Sequence, residues 1–260
     1  MADTTVPSSA PGEAPSPASR PSTEPEAPPA PADAQQAAQW RQQFETAAAE
    51  DVLCWALDRF HPRIALACSF QAEDMVILDM MARLRPGARV FYLDTGLLFA
   101  ETYAMRDLVA RRYDIRLERF SPELSVARQA VEHGPNLWAR DPNRCCTLRK
   151  VEPLRRALSG LDAWVTGIRR DQTPQRRSAG VVEWDARFGL VKINPLARWT
   201  ADDVWRYIRS RGVPYNPLHD QGFPSIGCIP CTAPVPEGGD ARSGRWPGFE
   251  KTECGLHADQ

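Results

Sequence analysis

Short apolar segments alternate with helical segments along the middle of this chain, and that alternation restricts its fold more than any other feature. "RIALACSF" and "ARVFYLDTG" are apolar runs that end in small or polar residues, which is typical of buried strands. "AEDMVILDMMARL", between them, has helical spacing and begins with two acids that complement the positive end of a helix dipole. Further strands are predicted at "DIRLERF", "AWVTGI" and "LVKINPL", with helices at "LFAETYAMRDLVARRY" and "TLRKVEPLRRAL". The pattern predicts an α/β fold, a mostly parallel sheet with helices on both faces.

Parallel sheets of this kind bind ligands beyond the carboxyl ends of their strands. We therefore expect functional residues in the loops that begin at Cys68, Asp94 and Gly167. Farther along, "TADDVWRYIRSRG" predicts a helix with a Thr N-cap and a Gly after its end. The last 45 residues are rich in Pro and Gly and contain three cysteines, so we expect an irregular segment there.

Composition divides the chain into a tail and a folded part. Residues 1–34 are rich in Ala, Pro, Ser and Glu and almost lack large apolar side chains, which predicts a disordered tail. Residues 35–260 form the predicted domain, which opens with the helical stretch "AAQWRQQFETAAAEDVLCWALDRF". We expect the C-terminal segment, about residues 232–260, to be mobile.

The overall charge excludes some classes of function. The 32 basic residues nearly cancel the 33 acidic ones, which disfavours a general nucleic-acid or membrane-surface binder. The sequence has neither an apolar run of membrane-spanning length nor a secretion signal at its start, so a cytoplasmic protein with reduced thiols is expected. The oligomeric state stays open at this stage, a homo-oligomer included.

Four of the seven cysteines form two clusters that suit a metal centre. Cys145 and Cys146 are adjacent, and Cys228 and Cys231 form a C-x-x-C motif. An adjacent pair fits a single zinc ion poorly because neighbouring side chains diverge, whereas the iron atoms of a cluster can each take one thiolate. An iron–sulfur cluster is therefore favoured, with structural zinc and uncoordinated thiols as alternatives.

The remaining cysteines differ in their surroundings. Cys254 lies near the C-terminus between Lys251 and His257, and nearby positive charge favours a reactive thiolate. It is our candidate nucleophile, with an exposed structural cysteine as the alternative. Cys54 and Cys68 are expected to pack as small apolar residues, with a place in the lining of the ligand pocket as the alternative for Cys68.

Arginines cluster in two stretches that suit an anionic ligand. "TGIRRDQTPQRRS" contains four of them directly after a predicted strand, and "DARSGRWPG" contributes Arg242 and Arg245. Guanidinium groups match phosphate and sulfate oxygens two at a time. A phosphorylated or sulfated ligand is therefore expected at this end of the sheet.

Taken together, these motifs resemble those of the assimilatory adenylyl-sulfate reductases, which are relatives of phosphoadenylyl-sulfate reductase. The resemblance covers about residues 40–257 and rests on "SFQAEDMV", "LDTG", "CCTLRKVEPL", "TGIRRDQTP", "PYNPLHDQGFPSIGCIPC", "GRW" and "ECGLH" in that order. It implies an adenine nucleotide α-hydrolase-like fold. The loop "SFQAED" lacks the "SGGxDS" pattern of ATP-using relatives, which disfavours pyrophosphate binding there.

The resemblance also implies residue roles. It assigns a [4Fe–4S] cluster to Cys145, Cys146, Cys228 and Cys231, and the nucleophile to Cys254. Phosphate and sulfate contacts are implied for Lys150, Arg177, Arg242 and Arg245, and a place near the sulfate for His257. The adenosine pocket is implied at Leu93, Thr95 and Gly167.

The implied reaction is the thioredoxin-dependent reduction of adenylyl sulfate to sulfite and AMP through an S-sulfocysteine. The alternative substrate is phosphoadenylyl sulfate, either alone or alongside adenylyl sulfate. Two rivals from other classes explain less. A tRNA-thiolating or adenylating enzyme needs the missing pyrophosphate loop, and an electron carrier leaves Cys254 and the arginines without a role.

Overall fold

The computed structural model describes residues 1–2, 32–251 and 253–257. Most of the tail predicted over residues 1–34 lies outside them, and contacts delimit a unit at Pro31–Gln260 that contains the fold. Its centre is a six-stranded sheet in the order β3-β2-β1-β4-β6-β5. The strands are β1 (Ile64–Ala67), β2 (Ala88–Leu93), β3 (Ile115–Phe120), β4 (Ala163–Val165), β5 (Val182–Asp185) and β6 (Leu190–Ile193).

The sheet is parallel except at one edge, so the predicted α/β architecture is confirmed. The pairs β1–β2, β1–β4, β2–β3 and β4–β6 are parallel, and β5 runs antiparallel to β6. Strand β5 was not predicted. It is a four-residue edge strand paired only to β6, and its stretch "VEWD" lacks a long apolar run.

Nine α-helices surround this sheet within the described residues. They are α1 (Ala34–Phe44), α2 (Ala49–Phe60), α3 (Ala72–Leu84), α4 (Ala100–Arg112), α5 (Val126–His133), α6 (Leu137–Arg140), α7 (Pro142–Cys146), α8 (Glu152–Leu158) and α9 (Ala201–Arg211). A π-helical turn at Thr147–Val151 joins α7 to α8. The capping prediction for α9 is confirmed, because Thr200 and Asp203 form a capping box and Gly212 is left-handed.

The stretch predicted as helical at the start of the domain is two helices. Helix α1 ends at Phe44 and α2 begins at Ala49. Glu45, in the break, forms a bidentate ion pair with Arg170 at 2.6 and 2.9 Å. The rings of Phe44 and Trp55 then pack with their centroids 4.4 Å apart, so the apolar residues of both helices still share one side.

Alternate residues of β1, β2, β4 and β6 enter different cores. Ile64 and Leu66 of β1 belong to the larger core with α2, α3, α4 and α9, while Ala65 belongs to a second core with α8. This period of two is what a sheet covered on both faces requires. No helix of the described residues is long and apolar enough to cross a membrane.

The topology places a binding crevice beside β1. The chain passes from β1 outward to β2 and β3, and then returns to β4 on the other side of β1. Ligands bind at such a switch point, outside the carboxyl ends of the strands. The loops after β1, β2 and β4 meet there.

Candidate functional site

A cavity of about 340 Å³ opens at this switch point. Eight of the nine substrate-binding and catalytic residues named from the sequence line it: Leu93, Thr95, Lys150, Gly167, Arg242, Arg245, Cys254 and His257. The ninth, Arg177, is exposed and lies outside the lining. Residues as far as 164 positions apart in the sequence, Leu93 and His257, therefore meet in one cavity.

The loop after β1 forms one wall of the cavity through a strained turn. Phe70 is buried with φ 60°, in the left-handed region. The Asp74 carboxylate accepts hydrogen bonds from the Ser69 backbone at 2.6 Å and from the Ser69 hydroxyl at 2.5 Å. Gly167, after β4, lies so close to Asp74 that a Cβ would overlap its carboxylate. The loop is held by a buried carboxylate instead of a run of glycines.

Replacing Asp74 with Asn is expected to change the pH dependence of stability. Burial raises the pKa of Asp74 to about 6, although the hydrogen bonds from Ser69 oppose the rise. The folded state then binds more protons than the unfolded state between pH 4 and 6, so this carboxyl costs stability as the pH rises. The free energy of unfolding of Asp74→Asn, relative to the wild type, should increase by about 2 kcal/mol from pH 4.5 to 7. Urea denaturation at both pH values measures this, and an unchanged difference contradicts the prediction.

The four arginines after β4 have separate roles. Arg169 is paired with Glu73 and Asp171, and Arg170 with Glu45. Arg176 lines the cavity, whereas its neighbour Arg177 is exposed. The 3₁₀ turn Pro174–Arg176 produces this difference, because successive residues of a helical turn face different directions. Arg176 is therefore a cavity residue that the sequence did not single out.

The guanidinium of Arg245 occupies space that is free because residue 227 is a glycine. This guanidinium donates to the Ser225 hydroxyl at 3.0 Å and lies 4.6 Å from the centre of the Trp246 ring. A Cβ at Gly227 would collide with the same guanidinium. The stretch "SIGC" thus supplies both a partner and the space for this arginine.

The C-terminal segment is docked over the cavity. Arg187 donates to the backbone carbonyls of Gly255 at 3.1 Å and Leu256 at 2.7 Å. The His257 ring stacks on Trp164 at 5.6 Å with an angle of 15° between the planes. Backbone and ring contacts hold the segment, so Cys254 lies at the cavity while the segment is docked.

Cys254 is half-buried beside cationic groups. Burial alone would raise the pKa of its thiol, but Lys150, the Leu256 backbone N–H and Arg245 outweigh this, and the pKa is lowered. Burial also opposes the charge of Lys150, yet the thiolates of Cys228, Cys254 and Cys146 raise its pKa. The pair favours a lysine ammonium next to a cysteine thiolate, as a nucleophilic cysteine requires.

His257 faces the same cavity as a neutral ring. Burial lowers its pKa well below the usual range, and Lys192, Arg176 and Arg187 lower it further. A neutral imidazole offers one donor and one acceptor and adds no positive charge. His257 is thus suited to a hydrogen bond with a ligand oxygen.

The four clustered cysteines line a second, smaller cavity. Cys145 and Cys146 end α7, whereas Cys228 precedes the 3₁₀ turn Ile229–Cys231 and Cys231 ends it. Lys150 lines both this cavity and the larger one. The two cavities are therefore neighbours that share a lysine.

Polar groups that the sequence did not connect with the four cysteines support them. Thr95 Oγ1 lies 3.3 Å from the sulfur of Cys228, and Gln129 Nε2 lies 3.8 Å from that of Cys145. The buried Arg149 joins them, donating to the Thr95 carbonyl at 2.6 Å and to Gln129 Oε1 at 2.9 Å. Gln129 lies on α5, a helix outside the quoted motifs, so sequence spacing gave no signal for it.

The four thiols are free and line one small cavity, so they are candidate ligands of a metal centre. Burial and the other thiols raise the pKa of Cys145 to about 11 and of Cys231 to about 12, so these two sulfurs need a metal cation to replace their protons at neutral pH. Among the described residues, no three His, Cys, Asp or Glu side chains converge on one ion position.

Comparison with known proteins identifies the family of this chain. A family model described as the phosphoadenosine phosphosulfate reductase domain matches residues 63–234, which is more than half of the chain. The chain belongs to this family. The match covers the central sheet, the first half of the site and the C-x-x-C turn.

Curated members of this reductase family are similar over most of their length. The chain is 50% identical to adenosine 5'-phosphosulfate reductase 2 of Bacillus subtilis (strain 168), over 80% of this chain and 89% of that protein. It is 51% identical to phosphoadenosine 5'-phosphosulfate reductase of Gloeobacter violaceus, over 84% and 91% of the two chains. Adenosine 5'-phosphosulfate reductase of Salinibacter ruber is 49% identical, over 83% and 86%.

Solved structures confirm the predicted fold. A crystal structure of phosphoadenylyl-sulfate reductase from Candida auris, in a phosphate complex, matches with a TM-score of 0.70 and 31% identity, covering 78% of this chain and 98% of that one. Candida glabrata FMN adenylyltransferase matches with a TM-score of 0.54 and 15% identity, covering 78% and 73%. The second likeness concerns the fold alone, the adenine nucleotide α-hydrolase-like arrangement.

Proposed function

We propose that this reductase converts adenylyl sulfate to sulfite and AMP, with thioredoxin as the electron donor, in assimilatory sulfate reduction. The observation that carries the proposal is the position of Cys254, whose thiol lies beside Lys150 in a cavity lined by Arg176, Arg242 and Arg245. A nucleophilic thiol among anion-binding groups suits attack on a sulfated nucleotide. The proposal places the chain in the cytoplasm, where thiols are kept reduced.

The two ends of the substrate occupy different parts of the cavity. The adenosine fits the carboxyl ends of the strands, where Leu93, Thr95 and Gly167 lie. The phosphosulfate fits the cationic end, beside Arg242 and Arg245, where bidentate guanidinium contacts match its oxygens. We infer that Arg176 makes the contact that the resemblance assigns to Arg177.

The first chemical step is transfer of the sulfo group to the enzyme. The Cys254 thiolate attacks the sulfur atom, an S–S bond forms, and the bond between sulfur and the bridging oxygen breaks. The electron pair of that bond leaves on the AMP phosphate, where Lys150 and the arginines stabilise the developing charge. The products are AMP and S-sulfocysteine at position 254.

The second step is reduction by the thioredoxin dithiol. One thioredoxin thiolate attacks the Cys254 sulfur and releases sulfite, and the second thiol resolves the mixed disulfide. The two electrons thus come from thioredoxin, which becomes a disulfide, and Cys254 returns as a thiolate. Because Cys254 is half-buried within the docked segment, residues 253–257 must move outward for this step.

The small cavity is the proposed site of a [4Fe–4S] cluster held by Cys145, Cys146, Cys228 and Cys231. Their shared cavity and free thiols support this, as do the polar contacts from Thr95 and Gln129. When bound, such a cluster would supply a fixed charge that orders the cysteines and the shared Lys150, without accepting electrons. Arg149 adds a buried cation beside the thiolates.

The substrate is tested by comparing two nucleotides. We expect turnover of adenylyl sulfate with reduced thioredoxin to exceed that of phosphoadenylyl sulfate by at least about tenfold in kcat/KM, since the resemblance couples the four cysteines to the unphosphorylated substrate. Phosphoadenylyl-sulfate reduction, alone or together with adenylyl sulfate, is the second candidate, because a 51% identical relative is named for it.

Sulfite release is the quantity to measure. Equal or faster turnover of the phosphorylated nucleotide replaces the first candidate with the second. Sulfite formation from neither nucleotide contradicts the proposed function as a whole. A reaction without thioredoxin serves as the blank.

A further inference from the structure

The residue before the nucleophile is tied to the anion-binding arginines. Glu253 accepts two hydrogen bonds from Arg176, at 2.9 Å from Nε and 2.8 Å from the terminal nitrogen. The same carboxylate accepts a third from Arg242 at 3.2 Å. Side-chain exposures of 12%, 12% and 15% show that Glu253, Arg176 and Arg242 are largely shielded from water.

Glu253 lies behind the arginines and not in the cavity itself. Arg176 and Arg242 both line the cavity, as does Cys254, whereas Glu253 does not. Arg176 also donates to Gln172 Oε1 at 2.5 Å, but a guanidinium has five N–H donors, so two N–H groups of Arg176 remain for an anion in the cavity. The Glu253 carboxylate therefore holds Arg176 and Arg242 from the side that faces away from the cavity.

Charge makes this support necessary. Arg176 and Arg245 lie near Arg242, and burial lowers the pKa of Arg242 to about 10, while Glu253 opposes the loss of its charge. Without the carboxylate, neighbouring guanidinium groups repel one another and separate. Undocking of the C-terminal segment removes this carboxylate, because Glu253 travels with it.

We propose that Glu253 is a positioning residue that couples occupation of the anion site to docking of Cys254. An anion in the cavity and the carboxylate behind it hold the same two arginines, so each stabilises the arrangement that the other needs. The coupling is reciprocal, as thermodynamic linkage requires. This coupling, which rests on the proposed function, holds the nucleophile in place while nucleotide is bound and releases it after AMP leaves.

The test follows the reactivity of Cys254 toward iodoacetamide. Trypsin cleaves after Lys251, so mass spectrometry of the peptide 252–260 reports this cysteine alone. In the wild type, saturating AMP should slow the alkylation about tenfold, and adenosine, which lacks the anion, should not. In Glu253→Gln the protection by AMP should fall below about twofold, and AMP affinity measured by calorimetry should weaken about tenfold.

Glu250→Gln is the matched control, because it removes the same charge from an exposed position three residues away. It should behave as the wild type. Unchanged adenosine affinity in Glu253→Gln shows that its cavity is folded. AMP protection that persists in Glu253→Gln overturns the coupling, as does wild-type binding of AMP without protection. A wild type that binds neither AMP nor adenosine overturns the proposed function, a result distinct from both.

Discussion

Replacing Cys254 with Ser is expected to abolish sulfite release. The serine hydroxyl keeps the position but lacks the thiolate that Lys150 and Arg245 favour in the wild type. An S-sulfo intermediate also requires sulfur at this position for thioredoxin to attack. We expect kcat/KM for adenylyl sulfate to fall by at least about a thousandfold, measured as sulfite released with reduced thioredoxin.

Binding of the nucleotide should survive that change. The arginines and the adenosine end of the cavity are untouched, so calorimetry should give an AMP affinity within about twofold of the wild type. Cys54→Ser is the control, since Cys54 is exposed on α2 and outside both cavities. Normal turnover by Cys254→Ser would disprove the role of the nucleophile.

Replacing Cys228 with Ser is expected to remove the cluster and the activity together. Cys228 is buried, contacts Thr95 and faces the small cavity, so its loss leaves three thiolates for four metal atoms. Protein purified without oxygen should contain about four iron and four sulfide per chain in the wild type. The variant should retain less than about one iron, and its kcat/KM should fall at least about a hundredfold.

Metal analysis separates the alternatives for this centre. Cys54→Ser again provides the control and should keep the wild-type iron content, because its thiol lies outside the small cavity. One zinc per chain with no sulfide would refute the cluster. Full iron content in Cys228→Ser would remove this cysteine from the ligand set.

The central fold was predictable because each strand and helix has its own local pattern. The period of "AEDMVILDMMARL" gave α3, and Thr200 and Gly212 gave both ends of α9. The local sequence pattern did not predict β5, because this segment is a strand only through its pairing with β6, which is a tertiary contact. Cys54 was predicted to be packed inside, and this was wrong, because it lies on the exposed side of α2.

The site was predictable where chemistry restricts the residue type. Cysteines and arginines in clusters identify an anion site and a metal site even without a fold. The sequence did not show which of two adjacent arginines, Arg176 or Arg177, faces the cavity, because a turn decides it. Nor did it reveal Glu253, which resembles any surface acid until the segment is seen docked.

The π-helical turn at Thr147–Val151 changes the rotational register of the helical segment that contains it. The backbone N–H of Glu152 bonds to the carbonyl of Thr147, five residues back, so this turn holds one residue more than an α-helical turn. One residue corresponds to a rotation of about 100° around the helix axis. The direction that the cysteine pair faces is therefore independent of the direction that the core-facing residues of α8 take. The continuous helical segment from α7 to α8 can therefore direct the thiols of Cys145 and Cys146 toward the small cavity and still bury Leu154 and Leu158 against the sheet.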